Sequence, residues 1–272
     1  MNTGKNISIC AVLAVRDGLP YLRVLLPFLA AQGIEVAILD NGSTDGSHAL
    51  YAAHAGAPVV SVGTIPYRGY FSLSEQLAAK RALCATLRHD WIVHHDADEI
   101  MEHRGPGQTL RDAIEEADAQ GYNALNFEEF VFLPDAGVDL TGLDYYRTAL
   151  RYYFLEPRKG KPRLNRAWKR GLDAANLATG GHRLEGEGVA LYPANHILRH
   201  YIVLGEDHAR RKYVNRVFDA QEVRRGWHGK RMNIPADRLA LPEAGEHLFR
   251  LERFDSKDFR RDRPATDNFW HW

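Results

Sequence analysis

Two aspartates one residue apart are the strongest sign of chemistry in this chain. Asp96 and Asp98 follow the strand-like residues 91–95 and lie beside Glu99 in the sequence WIVHHDADE. Side chains alternate across a strand, so a strand end here would present both carboxylates on one face. Carboxylates held so close repel each other unless a cation lies between them. A hard divalent ion that bridges to a phosphate, such as Mg²⁺ or Mn²⁺, is the usual partner. An acidic turn that merely ends the strand is the structural alternative.

A further carboxylate, Asp40, ends another short apolar segment, in the sequence LDNGSTDGS of residues 39–47. Beside a Gly-Ser-Thr turn, this carboxylate can accept a hydrogen bond from a nucleobase N–H or a ribose hydroxyl. Asp-Asn-Gly sequences also favour bends, so a purely local role stays open. For Asp45 we expect a structural role, as the cap of the helix that follows.

The segments that must position these carboxylates alternate between strand and helix. Hydrophobic patterns predict the two types in turn at 7–15, 18–32, 35–39, 44–54, 58–62, 72–88 and 91–95. This β-α-β-α order predicts an α/β fold with a mainly parallel sheet flanked by helices. Ligands of such sheets bind beyond the carboxyl ends of the strands, where Asp40 and Asp96 both lie.

The second half of the chain is less regular. We expect a helix at 109–120, strands at 122–133, 186–192 and 196–204, and a helix at 206–225. Residues 134–180 carry few regular signals. Because no repeat or linker separates the two halves, we expect one domain over 1–272 with an irregular C-terminal region.

Composition narrows the class of protein. With 45% hydrophobic and 26% charged residues, the 272-residue chain has an ordinary globular composition. Its net charge of zero combines an acidic part and a basic part: residues 1–140 hold 9 Lys and Arg against 18 Asp and Glu, and residues 141–272 hold 26 against 17. This asymmetry suits a polyanionic substrate between the parts, although the parts can also pair with each other.

The cysteines and the apolar segments bear on location. Cys10 and Cys84 both lie in apolar runs, which favours core residues in a reducing compartment. No run of apolar residues is long enough for a membrane span. Residues 7–15 lack a small-residue cleavage site, so we interpret them as a core strand instead of a signal peptide. A cytoplasmic protein is therefore expected.

In the order of these strands, helices and acidic sequences, residues 7–102 resemble the family 2-like nucleotide-sugar glycosyltransferases of the A-type (GT-A) fold. Four features carry the resemblance: the turn Arg16-Asp17-Gly18 after the first strand, LDNGSTDGS after the second, a helix with Glu75, Gln76, Lys80 and Arg81, and the sequence HHDADE. The resemblance implies a GT-A-like (Rossmann-like) sheet, with a nucleotide-sugar-binding half at 1–105 and an acceptor-binding half at 106–272.

The resemblance also implies roles for individual residues. Asp40 would contact the nucleoside and Asp98 the metal, with Asp96 near the ribose or a metal-bound water. The implied nucleotide-sugar site comprises Val15, Arg16, Asp17, Asp40, Asn41, Lys80, Asp96, Ala97 and Asp98. The implied metal ion is Mn²⁺ or Mg²⁺, with Asp96, Asp98 and His200 as its ligands.

His200, in the sequence ILRHYI, is similar to a late histidine that completes the metal site in many A-type enzymes. A strand histidine that is hydrogen-bonded in the core is the alternative, and His182 competes for the same role. On the helix expected after this strand, Lys212 or Arg216 is a candidate to reach a phosphate.

The catalytic base is the least defined residue of the site. In the family it commonly lies in an acidic pair roughly 90 residues after the metal motif. Here that distance is occupied by GGHRLEGE, residues 180–187, which contains no Glu-Asp pair. The candidates are therefore Glu187 and Glu185, followed by His182. Each side-chain type can accept a proton from an acceptor hydroxyl when its pKa suits the working pH.

Residues 145–170 combine aromatic and basic side chains. Aromatic faces stack on sugar rings and arginines bind anions, which indicates an acceptor surface for a glycan or a lipid-linked sugar, with peripheral membrane contact as a further expectation. A solvated hairpin is the alternative interpretation. Nucleic acid is not expected as a partner, because the rest of the chain is acidic and lacks a nucleic-acid-binding motif.

Together these patterns predict a metal-dependent glycosyltransferase that uses a UDP-, GDP- or dTDP-sugar, in cell-surface polysaccharide or glycoconjugate synthesis. Inversion at the anomeric carbon is implied by the resemblance alone. Two alternatives stay open: a sugar-phosphate nucleotidyltransferase, and a non-catalytic nucleotide-sugar-binding protein.

Overall fold

The computed structural model describes residues 7–156, 164–172, 180–214 and 216–272. Within these ranges the strands are β1 (Ile9–Val15), β2 (Glu35–Asp40), β3 (Val59–Thr64), β4 (Trp91–His95), β5 (Glu99–Glu102), β6 (Ala124–Leu133), β7 (Arg151–Phe154), β8 (Leu164–Lys169), β9 (Leu191–His200) and β10 (Phe249–Arg250). The α-helices are α1 (Leu19–Ala30), α2 (Ser47–Ala53), α3 (Leu73–Thr86), α4 (Leu110–Ala119), α5 (Tyr145–Thr148), α6 (Glu206–Tyr213) and α7 (Ala220–Arg224).

The N-terminal elements follow from sequence signals. Helix α1 starts with a proline in its first turn, where the missing N–H costs nothing, and Gly33 after the helix takes φ +62°, a conformation that lets the chain turn into β2. Helix α3 begins at Ser72, whose hydroxyl accepts from the Glu75 N–H. Helix α4 begins with a reciprocal capping box between Thr109 and Asp112. The predicted helix starts near 18, 72 and 109 are thus confirmed to within a residue or two.

The strands form one mixed sheet in the order β10-β7-β6-β8-β4-β1-β2-β3, and β9 pairs with both β6 and β5. Strands β3, β2, β1 and β4 are mutually parallel, whereas β8 joins β4 and β6 in antiparallel fashion. The predicted α/β class with mostly parallel central strands is confirmed. Val15 pairs with Asp40 and Leu13 with His95, so β1, β2 and β4 end at the same edge. This carboxyl edge positions the site.

The second half departs from the expectations in three places. The strands expected at 186–192 and 196–204 are one strand, β9. The helix expected at 206–225 is two helices, because the carboxylate of Asp219 accepts from backbone N–H groups of the next residues and starts α7 afresh. Three short strands, β5, β7 and β8, were not expected from the pattern. Their four to six residues are too few to show a period.

Apolar side chains fill both faces of this sheet. The largest buried cluster packs α1 and α4 against the parallel strands, and a second cluster closes the C-terminal part around Trp270. Cys10 is buried in a third cluster, against which Cys84 packs, as the sequence predicts for small core residues. Among the described residues, no helix combines the length and the apolar character that crossing a bilayer requires.

Candidate functional site

The acidic pair lies in a turn between two strands. β4 ends at His95, and Asp96, Ala97 and Asp98 form the turn that leads into β5. The alternation argument for a shared face therefore does not apply, because neither aspartate belongs to a strand. β5 pairs with β9 so that Glu99 lies opposite His200, which brings the end of β9 beside the turn. The two aspartates consequently have different partners.

Asp98 is held by two cations from the C-terminal half. Its Oδ2 accepts from Lys212 Nζ at 2.7 Å and lies 3.4 Å from His200 Nε2. Burial by itself would raise the pKa of this carboxyl group, but Lys212 and His200 outweigh burial and hold the pKa well below its usual range. Asp98 is thus a fixed negative charge.

His200 lies between two carboxylates. Its Nδ1 is 2.6 Å from Glu129 Oε1, and its Nε2 faces Asp98. Burial alone would lower the pKa of the imidazole, yet Asp98 and Glu129 raise it well above its ordinary value. The two carboxylates therefore favour the protonated form of the ring.

Asp96 pairs with a different set of basic side chains, from α3 and β8. Lys80 Nζ lies 3.1 Å from Asp96 Oδ1, and Arg166 Nη2 lies 3.2 Å from its Oδ2. Lys80 is buried, with 4% of its side chain exposed, and also donates to the carbonyl oxygen of His95. The side chain of Asp96 is 41% exposed, so it is accessible to solvent although Lys80 and Arg166 pair with its carboxylate.

Glu99 stands behind Asp96. Arg166 Nη2 donates to its Oε1 at 2.7 Å. Burial raises the pKa of this carboxyl group to about 7, against the opposing effect of Arg166. Arg166 therefore links Asp96 and Glu99 and completes the inner wall of the site.

Two side chains of this cluster, Asp98 and His200, are candidate ligands for a divalent metal ion. Among the described residues, no group of three or more His, Cys, Asp and Glu side chains is arranged to hold a metal ion. Asp98 and His200 would supply two ligands, since their facing atoms are 3.4 Å apart and Glu129 lies at the other nitrogen of the ring, as carboxylates behind metal-ligating histidines do. Binding of the ion would release the proton from His200 Nε2. Asp96, the third predicted ligand, is directed to Lys80 and Arg166.

The carboxylate of Asp40 is satisfied within its own turn. Its oxygens accept from the Ser43 N–H at 2.8 Å and the Tyr51 hydroxyl at 2.9 Å, and His48 lies 3.4 Å away. Burial would raise the pKa of Asp40, but these hydrogen bonds lower it. Asp40 is 1% exposed, so the local role is present in the structure, and contact with a nucleoside stays a prediction.

The turns after β1 and β2 interlock. Arg16 Nη1 donates to the carbonyl oxygens of Asn41 and Gly42, and the Asn41 N–H donates to the Val15 carbonyl at 2.8 Å. Asp17 Oδ1 accepts from the Thr44 N–H at 2.6 Å. The four residues predicted for nucleotide binding in these turns, Val15, Arg16, Asp17 and Asn41, therefore lie together.

Two further side chains bear on these turns. Asp45 accepts from the Leu19 N–H at 2.7 Å and from the Ser47 N–H at 3.1 Å, the first residues of α1 and α2, so it has a structural role, although the N-cap residue of α2 is Gly46. The Arg16 guanidinium lies 3.4 Å from the centre of the Tyr67 ring, which is 43% exposed. Sequence reasoning missed Tyr67.

The three candidate bases lie on one irregular segment. Glu185 and Glu187 are exposed, and Glu185 pairs with Arg183 at 3.0 Å. His182 is also exposed, and it lies near enough to Glu129 for its charge to help lower the pKa of that carboxyl group.

Two residues of the cluster escaped sequence reasoning. Glu129 and Arg166 complete the ion pairs, yet neither lies near the DADE sequence in the chain. The two adjacent glutamates inside the otherwise apolar β6 were the available signal for Glu129. For Arg166 there was none, since residues 145–170 contain many basic side chains. Residues 157–163 of that segment lie outside the described residues, and so does most of the sequence between β8 and Gly180.

Comparison with known proteins gives weak structural similarity. No protein-family model and no curated protein matches the sequence. TarS 1-349 from S. aureus is similar with 12% identity and a TM-score of 0.44, over 86% of this chain and 69% of the TarS 1-349 chain. Its complex with UDP gives a TM-score of 0.45 at the same identity and coverage. The glycosyltransferase GlyE of Streptococcus pneumoniae TIGR4 is similar over 45% of this chain and 30% of its own, with 12% identity and a TM-score of 0.29. No function is transferred from them to this chain.

Proposed function

We propose that this chain is a glycosyltransferase that moves a sugar from a nucleotide-sugar to an acceptor hydroxyl. The main support is the acidic turn at the carboxyl edge of the sheet. There, Asp96 pairs with Lys80 from the first half of the chain, and Asp98 pairs with Lys212 from the second half. Such an edge is where open α/β sheets bind their ligands. The order of LDNGSTDGS and HHDADE in the sequence supports the same assignment.

The leaving group of this reaction is a nucleoside diphosphate, whose developing charge has to be neutralised. Lys212 pairs with Asp98 and has 21% of its side chain exposed, so its ammonium is one of the protein's own cations at the acidic turn. We further propose that transfer depends on Mn²⁺ or Mg²⁺, with Asp98 and His200 as ligands and Glu129 behind the ring. When bound, the ion would supply the remaining charge neutralisation.

The nucleoside would lie over the interlocked turns after β1 and β2. Arg16 and Tyr67 form a stacked pair whose aromatic ring is accessible to a base. Aromatic faces bind nucleobases by stacking without demanding one base. We propose UDP-, GDP- and dTDP-sugars as the donors to test.

For the base we propose His182. In an inverting transfer it would take the proton of the acceptor hydroxyl while the acceptor oxygen bonds to the anomeric carbon. The bond from that carbon to the phosphate oxygen breaks, and its electron pair leaves with the diphosphate. This choice over Glu185 and Glu187 is supported by the Asn165 N–H, which donates to the His182 carbonyl at 2.6 Å, and by the adjacent Gly181, which lies against Arg166. His182→Gln should stop transfer and leave binding of the nucleotide unchanged.

The acceptor we propose is a glycan or a lipid-linked sugar, in cell-surface polysaccharide or glycoconjugate synthesis. The support is the sequence of residues 145–170, with its aromatic and basic side chains. We propose a cytoplasmic enzyme with peripheral membrane contact through this segment.

Product analysis tests the proposal. Purified protein is incubated with each nucleotide-sugar, Mn²⁺ and a panel of acceptors, and the released nucleotide is identified by chromatography. Nucleoside diphosphate supports the transferase. Pyrophosphate released in a parallel incubation with a nucleoside triphosphate and a sugar phosphate supports the nucleotidyltransferase. Binding without turnover across the panel supports the non-catalytic binder. Asp98→Asn should abolish release, and Asp207→Asn, at an exposed position of α6, should not.

A further inference from the structure

We propose that Lys212 is a displaceable counter-ion of Asp98, so that a divalent metal ion binds tightly only when a nucleoside diphosphate has drawn the ammonium away. This inference rests on the proposed function, because it takes the nucleotide as the donor's leaving group. It predicts that metal and nucleotide bind cooperatively, with Lys212 as the coupling residue.

Lys212 and His200 both contact the same carboxylate oxygen of Asp98. Lys212 Nζ lies 2.7 Å from Asp98 Oδ2, and the same Oδ2 faces His200 Nε2 at 3.4 Å. A metal ion shared by Asp98 and His200 would use this oxygen. With the ammonium in place, the ion would approach a like charge at short range, which opposes its binding.

The ion pairs around the acidic turn leave little net negative charge to attract a metal ion that binds without nucleotide. Lys80 and Arg166 pair with Asp96, Arg166 also pairs with Glu99, and Lys212 pairs with Asp98. Lys and Arg side chains therefore already match the negative charge of the acidic turn. A bound diphosphate adds negative charge and reverses this balance.

The ammonium has a route away from Asp98. Nζ also donates to the carbonyl oxygen of Ile202 at 2.9 Å, so the ammonium keeps one partner when it leaves Asp98 and has donors left for a phosphate. The rings of Tyr21 and Tyr213 lie 5.4 and 5.6 Å from Nζ and offer a favourable path for a cation. A flexible four-carbon stem with three rotatable donors suits this movement.

Binding of Mn²⁺ tests the proposal without relying on activity. Free Mn²⁺ is titrated by electron paramagnetic resonance against the full chain, alone and with saturating UDP, GDP or dTDP, and Mn²⁺ binding to each nucleotide alone is subtracted. For the wild type, at least one nucleotide should tighten Mn²⁺ binding by about tenfold or more.

Lys212→Met should bind Mn²⁺ alone at least about tenfold more tightly than the wild type, since a nearby unit charge opposes the ion by more than the 1.4 kcal/mol that tenfold represents. The nucleotide should then add little further tightening. Arg211→Met removes the same charge from the same helix at an exposed position and should behave like the wild type. Lys212→Gln keeps a donor for Ile202 and serves if the methionine variant folds poorly.

Equal Mn²⁺ affinity of the Lys212 variants and the wild type without nucleotide would overturn the proposal. So would an absence of nucleotide-dependent tightening in the wild type. Failure of the proposed function has a different signature, namely no release of nucleoside diphosphate from any nucleotide-sugar while the Mn²⁺ affinities still respond to Lys212.

Discussion

Glu222 should stabilise the fold by capping the helix that carries Lys80. It belongs to α7, is fully buried, and accepts from the backbone N–H groups of Leu73 and Ser74 at 3.0 and 2.6 Å, in the first turn of α3. Its Oε2 also lies 2.7 Å from His228 Nε2. A carboxylate at a helix N-terminus is stabilised by these unpaired N–H groups.

The size of the effect follows from the pKa. Burial raises the pKa of Glu222, but the hydrogen bonds from Ser74, His228 and Leu73 outweigh it and lower the pKa from its ordinary 4.5 to about 2. Each tenfold change in proton affinity is worth about 1.4 kcal/mol, so the ionised carboxylate contributes about 3 kcal/mol at neutral pH. Glu222→Gln keeps part of the hydrogen bonding, so we expect a loss of about 2 to 3 kcal/mol.

Urea unfolding as a function of pH measures this contribution. A lowered pKa gives stability that is complete above the ordinary value of 4.5 and is lost as the pH falls toward 2. The difference between wild type and Glu222→Gln should therefore be constant above about pH 6 and shrink below pH 4.5. Glu75→Gln, a half-buried acid in the same helix turn, should cost less than about 1 kcal/mol. A loss at Glu222 no larger than at Glu75, or one independent of pH, would refute the reasoning.

Three further substitutions test individual contacts. Lys80→Met should lower the free energy of unfolding by about 2 to 4 kcal/mol in urea, because it removes one of the two buried cations that pair with Asp96; an unchanged stability would contradict the pairing. Gly181→Ala should cost about 1 to 3 kcal/mol in the same assay, since the residue has φ +83° and a Cβ there would lie 2.9 Å from the His94 ring; a neutral outcome would show that this segment does not pack on β4. Tyr67→Ala should weaken binding of UDP, GDP or dTDP about tenfold by calorimetry if a base stacks there, and equal affinity would remove the ring from the nucleotide site.

The N-terminal half was predictable because its signals are local. Apolar strands, an amphipathic α1 and the caps at Ser72 and Thr109 each depend on residues within one turn of the chain. Their alternation specifies parallel strands, and parallel strands bring their carboxyl ends to one edge. The position of Asp40 and Asp96 at the same edge of the sheet was therefore predictable from the order of strands and helices.

The rest depends on contacts between distant residues. Arg166 meets Asp96 across 70 positions of the chain, and Glu129 meets His200 across 71. No periodicity encodes such pairs. The separate partners of Asp96 and Asp98 also escaped prediction, because the strand ends one residue before the acidic pair and the turn directs the two carboxylates differently.

The central claim is that the acidic turn binds a nucleoside diphosphate through a cation. Thermal unfolding with UDP, GDP or dTDP, each with and without Mn²⁺, tests it most directly, because a ligand of the folded state at about a hundred times its Kd adds about 2.7 kcal/mol of stability. For the wild type we predict stabilisation by at least one nucleotide that increases with Mn²⁺, and for Asp98→Ala the loss of the Mn²⁺-dependent part. If Asp98→Ala keeps the full Mn²⁺-dependent stabilisation, the cation is bound elsewhere and the assignment of this turn is wrong.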